Sequence, residues 1–257
     1  MGPYASVRRG AGRQAVTIRL FQSFTGILAL TILLLLALTG CNGLATPQAA
    51  SDQLSIQQAP KARLTYVAIG ASDTFGIGTS DPRTESWPAD LAARLGPDVR
   101  LVNLGVPGIH VRQALNIELP VALDTHPDLI TIWLAVNDLA DNVPVAGYQH
   151  DLDLLLDRLQ ARLPHTHIAV ANVPDLTLLP HFRSANTEQL HRQISNYNAA
   201  IATVVDKHHV LLVDLSQTWS LLSVHPEYIS GDGFHPSNAG YAQLAMIFYQ
   251  ALQQNRP

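Results

Sequence analysis

Five short apolar runs, starting 30 to 43 residues apart, constrain what this chain can fold into: Leu64–Ile69, Val99–Leu104, Leu129–Leu134, His167–Val170 and Val210–Val213. Runs of this length, rich in β-branched residues, read as strands covered on both faces, which is the condition of a parallel sheet. Amphipathic helices fill the intervals. Leu152, Leu155, Leu156, Leu159 and Leu163 fall on one helical face, and Leu190, Ile194, Ile201, Val204 and Val205 on another. A last helix starts near Pro236-Ser237-Asn238 and carries Tyr241, Leu244, Ala245 and Phe248. Strands alternating with helices through short connections predict an α/β domain with a doubly wound parallel sheet of about five strands. No internal repeat interrupts the pattern. Ligands of such sheets bind at the carboxyl ends of the strands, so the residues that follow each run are the ones to read for chemistry.

Four segments stand there. The first run ends Ile69-Gly70-Ala71-Ser72-Asp73, which puts a serine hydroxyl where a nucleophile would be presented, in a turn that glycines allow to bend tightly. After the second run comes Asn103-Leu104-Gly105-Val106-Pro107-Gly108, where Gly105 lets a backbone N–H approach a ligand closely. After the third comes Ala135-Val136-Asn137-Asp138, whose asparagine can aim an amide at a developing oxyanion. Late in the chain, Ser230-Gly231-Asp232-Gly233-Phe234-His235 places a carboxylate three residues before a histidine in a turn that leads into a helix. A histidine is needed to take a serine proton, and a carboxylate to hold its tautomer. Each segment also reads as an ordinary turn or helix cap, although that leaves His235 without a task.

Taken together and in this order, the four segments resemble the SGNH (GDSL-like) hydrolase family, over roughly residues 64–253. The resemblance implies a three-layer α/β/α, flavodoxin-like fold for residues 62–257. It implies Ser72 as nucleophile, His235 as base and Asp232 as its orienting acid. The Ser72 and Gly105 N–H groups and the Asn137 amide would form the oxyanion hole. Gly70-Ala71-Ser72-Asp73 departs from the literal Gly-Asp-Ser-Leu form and keeps its Gly-x-Ser core, and Ala135 stands where the family usually has glycine. A nucleophile elbow of the form Gly-x-Ser-x-Gly fits less well, since Thr74 occupies its last position. No grouping of His, Cys and Asp has metal-ligand spacing, and His208-His209 reads as a helix end. Neither a metal nor a cofactor is expected.

The first forty residues belong to targeting. Arg8, Arg9, Arg13 and Arg19 precede the apolar run Leu20–Leu38, the arrangement of an export signal. The run closes on Leu38-Thr39-Gly40-Cys41, which is similar to the lipobox of bacterial lipoproteins, and Cys41 is the chain's one cysteine. Residues 1–40 thus read as a lipoprotein signal peptide. Residues 41–61, a lipidated Cys41 followed by an Ala/Gln/Ser/Pro-rich stretch, read as a flexible tether. An uncleaved membrane anchor is the alternative. Either way the domain lies on the extracytoplasmic face of the cell membrane. Without residues 1–40 the chain has 12 Lys+Arg against 20 Asp+Glu, a net of −8. That charge excludes nucleic acid as a partner and polybasic attachment to anionic lipid, leaving acyl chains on Cys41 as the anchor.

The expected function is a membrane-tethered serine esterase that hydrolyses carboxylic esters of small molecules, carbohydrates or lipids. The alternatives are an acyltransferase on the same triad and a surface-anchored binding protein with an inert site. After the fourth run, Leu176, Leu178, Leu179 and Phe182 lie in a loop-like segment that leaves the carboxyl edge, so they either pack on the core or line an acyl pocket. The lack of any longer connection predicts a shallow site and short acyl groups. The targeting assignment is checked with Cys41→Ser: lipid attachment and signal processing should both stop, as read by fatty-acid labelling. Cleavage elsewhere with release of a soluble product would refute it.

Overall fold

The computed structural model describes residues 62–218 and 224–254. The residues read as a signal segment and tether, 1–61 with Cys41, lie outside the described residues. In chain order the elements are β1 (Leu64–Gly70), α1 (Ser72–Phe75), α2 (Pro82–Glu85), α3 (Trp87–Leu95), β2 (Val99–Asn103), α4 (Val111–Thr125) and β3 (Leu129–Trp133). There follow α5 (Val136–Ala140), α6 (Val145–Arg162), β4 (His167–Ala171), α7 (Thr187–His208), β5 (Leu211–Val213), α8 (Leu215–Thr218) and α9 (Asn238–Gln254). All five apolar runs are strands, each within a residue of the bounds read from sequence.

The strands form one parallel sheet in the order β2-β1-β3-β4-β5. All five residues of β3 and the last five of β1 are buried, which is why these central strands have no polar alternation. The chain moves first one way from β1 to β2, then back over β1 to β3 and onward. With right-handed crossovers this puts α3 on one face and α4, α6 and α7 on the other. The contacts agree, since α3 packs on α9 while α6 packs on both α4 and α7. The leucine stripe of α6, Leu152, Leu155, Leu156 and Leu159, is fully buried between these neighbours. The Asn186 side chain caps the start of α7 by accepting the Gln189 N–H at 2.9 Å. Its end is His208, with His209 in the left-handed conformation at φ 51°.

The direction of winding reverses between β1 and β3, so a crevice opens at the carboxyl ends of these two strands. An aromatic joint holds the crevice from one face. Trp87 of α3 stacks on Phe248 of α9 with ring centroids 4.2 Å apart and meets Trp133, the last residue of β3, edge-on at 6.4 Å. Trp87 is wholly buried. Trp87→Ala should therefore cost about 3–5 kcal/mol of stability. Urea denaturation measures it, and a loss below ~1 kcal/mol would show that the joint is dispensable.

Candidate active site

Ser72 opens the single-turn helix α1 directly after β1 and is 7% exposed. As a first helical residue it has a backbone N–H with no acceptor among the described residues. Its hydroxyl donates to Nε2 of His235 at 2.9 Å, and Nδ1 of His235 donates to Oδ2 of Asp232 at 2.6 Å. The turn carrying the last two is fixed by its own bonds: Oδ1 of Asp232 accepts from the N–H groups of Phe234 (2.8 Å) and His235 (2.9 Å) and from the Ser230 hydroxyl (2.8 Å). Burial alone would raise the Asp232 carboxyl. The bond from the His235 ring, with those from Phe234, the His235 backbone and Ser230, outweighs it and holds the group well below the usual carboxylate range. Asp232 therefore stays ionised, and its bond to Nδ1 turns Nε2 of His235 toward Ser72.

The loop after β2 runs along the other side of the serine. Gly105, expected to donate to an oxyanion, does not have a free N–H. It donates to Oδ1 of Asn103 at 3.0 Å, while Nδ2 of Asn103 donates to the Thr74 carbonyl at 2.7 Å. A Cβ on Gly105 would lie 2.3 Å from the Phe75 nitrogen, so glycine is needed there for packing against α1. The free donor lies one turn further on. Val106-Pro107-Gly108-Ile109 is a turn closed by Ile109 N–H to the Val106 carbonyl at 3.2 Å, with Gly108 at φ 78°. Proline second and a positive φ third are the marks of a type II turn, which points the N–H of its third residue outward. Gly108 N–H has no acceptor among the described residues. The Pro107-Gly108 pair was the sequence signal for it.

Asn137, on the first turn of α5, donates one amide hydrogen to the Ile109 carbonyl at 3.0 Å, which places it beside Gly108 and leaves its second hydrogen without an acceptor among the described residues. Next to it, buried Asp138 accepts the Val111 N–H at 3.2 Å and so closes the start of α4. Burial pushes the Asp138 carboxyl up to about 6 against that hydrogen bond and nearby His110. Ala135, at φ 171°, directly precedes the first turn of α5.

Of the four residues read as an acyl pocket, Leu176 and Leu179 are buried, Phe182 packs edge-on against Phe234 at 5.9 Å, and Leu178 is exposed. The segment is pinned to the catalytic turn by His181 N–H donating to the Gly233 carbonyl at 2.9 Å. Leu176 and Leu179 border a cavity of about 20 Å³ together with Asp73, Trp133, Phe234 and Pro236. That is room for one water or methyl, far short of a channel for a long chain. A larger cavity of about 850 Å³ is lined by Leu64, Leu129, Ile168 and Leu211, at the opposite rim of the sheet from Ser72.

One buried group near the site was not singled out from sequence. Glu118 lies on the buried stripe of α4 with Ala114, Leu115, Leu119 and Ala122. That stripe was its signal, an acid where helical periodicity asks for an apolar residue. Oε1 accepts the Gly70 N–H at 2.9 Å, and Oε2 has no partner among the described residues. Desolvation pushes the carboxyl up to about 8, against the opposing Gly70 bond. Among the described residues, Asp153, Asp157 and His208 bring potential metal-ligand atoms within 4.8 Å of one another, between α6 and α7. The Lys207 ammonium already lies 2.6 and 2.8 Å from the Asp153 oxygens, so this cluster works as an ion-paired lock between the two helices.

The model of the GDSL-like lipase/acylhydrolase family matches residues 68–243. The chain belongs to this family. The GDSL-like domain is a carboxylic ester hydrolase, and its five-stranded sheet is the SGNH hydrolase fold. An acetylxylan esterase of Geobacillus stearothermophilus is 24% identical over 161 residues, covering 60% of this chain and 72% of that protein. Among solved structures, a family 3 carbohydrate esterase of Clostridium thermocellum superposes with a TM-score of 0.59 at 22% identity, over 74% of this chain and 96% of its own. The lipase/acylhydrolase of Enterococcus faecalis gives 0.59 at 20% identity, also over 74% and 96%.

The burial of Glu118 in this GDSL-like domain sets a pH dependence. Its ordinary value of 4.5 applies to the unfolded chain, and about 8 to the folded one. Between these values the folded state holds a proton that the unfolded chain has released. The contribution to stability is complete below about 4.5 and is lost as pH rises through about 8. Glu118→Gln should flatten this decline, as read by urea unfolding from pH 5 to 9. An unchanged slope would show that Glu118 ionises normally.

Proposed function

We propose that this chain is an exported, membrane-tethered serine esterase that removes short acyl groups from hydroxylated alcohols. The observation that carries this reading is the hydrogen-bonded chain from Ser72 through His235 to Asp232, at 2.9 and 2.6 Å. In the reaction, Nε2 of His235 takes the Ser72 proton as Oγ attacks the ester carbonyl. Asp232 stabilises the imidazolium that forms. The negative charge on the carbonyl oxygen is met by the N–H groups of Ser72 and Gly108 and the free amide hydrogen of Asn137. His235 then protonates the departing alcohol, leaving an acyl group on Ser72. Water, deprotonated by the same histidine, releases the carboxylic acid. Leu176 and Leu179 are buried in packing rather than lining a channel for a long chain, which supports short acyl groups, acetyl first. The resemblance to an acetylxylan esterase and a carbohydrate esterase supports a sugar or polyol ester. The basic and apolar amino terminus ending at Cys41 supports export and lipid attachment.

Ser72→Ala and His235→Ala should each lower kcat by roughly 10⁴ or more, and the double variant little further, since the two act as a unit. A fluorophosphonate probe should label wild type at Ser72 and fail on Ser72→Ala. Across p-nitrophenyl esters of two to sixteen carbons, kcat/KM should peak between acetyl and hexanoyl. Turnover that survives Ser72→Ala removes the assignment, and a maximum at long chains points to a lipase.

A further inference from the structure

The residue after the nucleophile departs from the Gly-Asp-Ser-Leu pattern in a way that bears on substrate. An apolar side chain in that position would fit the cavity beside the serine, whose walls include Leu176, Leu179, Phe234 and Pro236. This chain places Asp73 there. Its carboxyl receives no hydrogen bond from any other described residue, and burial pushes it up to about 6 despite nearby His235. The same cavity is bordered by Trp133, 6% exposed, whose indole N–H is buried and has no acceptor among the described residues. A buried donor without an acceptor and a half-buried carboxylate thus border one space of about 20 Å³. A buried donor left in that state is destabilising unless something supplies the missing bond.

The chemistry of the supplier is narrow. It must accept from an indole N–H and donate to a carboxylate, and it must have the size of one oxygen. A methyl or methylene satisfies neither group, and a carbonyl satisfies only the indole. A water satisfies both, and so does an alcohol hydroxyl. Phe234 and Pro236 flank His235, the side from which the departing alcohol is protonated, so the cavity adjoins the alcohol half of the ester.

We propose that Asp73 and Trp133 form a one-hydroxyl subsite beside Ser72, which holds a water in the free enzyme and a free hydroxyl of the alcohol portion when substrate is bound. The substrate class is then a partially acylated polyol or sugar with an unesterified hydroxyl close to the scissile ester. This rests on the serine esterase reading above.

The test compares glycerol monoacetate with propyl acetate, which has the same carbon skeleton and no free hydroxyl. Wild type should favour glycerol monoacetate in kcat/KM by about tenfold or more, because a site built to bond a hydroxyl discriminates against the analogue that lacks it. Asp73→Leu and Trp133→Phe should each bring the ratio close to one, and Asp73→Asn, which keeps the shape and one acceptor, should retain part of it. The ratio is internal to each variant, so a general loss of turnover does not imitate the effect. Two variants at separate residues keep the test open should one fail to fold. A wild-type ratio near one, or a ratio unchanged in both variants, overturns the subsite. Hydrolysis of either ester that persists in Ser72→Ala overturns the esterase reading, and the subsite with it.

Discussion

The peptide groups of Gly70 are gripped from both sides of the chain, and the site depends on that grip. Its N–H donates to Glu118 of α4 at 2.9 Å, and its carbonyl accepts the Val106 N–H of the next loop at 3.0 Å. Here β1 stops pairing as a strand and turns into α1, so the place of Ser72 is set by how firmly this one residue is held. Asn103 adds a second clasp through the Thr74 carbonyl, and Gly105 allows the two loops to touch. The serine thus stands on backbone bonded to two separate elements, as a nucleophile with one productive geometry requires.

Opposite it, the histidine is held by a short loop whose bonds converge on one carboxylate. Four donors reach Asp232, and all come from residues within three positions of it. A local turn can therefore assemble the acid and base without help from the sheet, and the sheet has only to bring that turn over Ser72. Bonds to Gly233 from the segment after β4 and to the Ile77 carbonyl from Tyr241 of α9 do so, the second at 2.6 Å. The oxyanion side is built differently, from a type II turn and the first turn of α5, joined by the Asn137 bond to Ile109.

Much of this was legible in the chain because it rests on local pattern. Strand positions followed from apolar runs buried on both faces, and helix faces from the leucine stripe of α6. Ser72, Asp232 and His235 stood out because chemistry needs those residue types after strands and in that turn. Gly105 and Gly108 could not be told apart that way. Both are glycines in one loop, and which N–H is free depends on Asn103 folding back, a contact between a side chain and its own loop. Leu176 and Leu178 differ by two positions in a segment without periodicity, so their opposite fates, buried and exposed, had no sequence signal. That Asp73 and Trp133 border one cavity joins residues 60 apart and needed the register of β1 against β3 to appear.

The polarity of the sheet also fixes an orientation. Because every strand runs the same way, the chain enters the domain at the amino end of β1, while Ser72 follows its carboxyl end. Six steps of extended chain separate Leu64 from Gly70, roughly 20 Å through the buried middle of the domain. Whatever holds the protein through the residues before β1 pulls on one rim, and chemistry happens on the other.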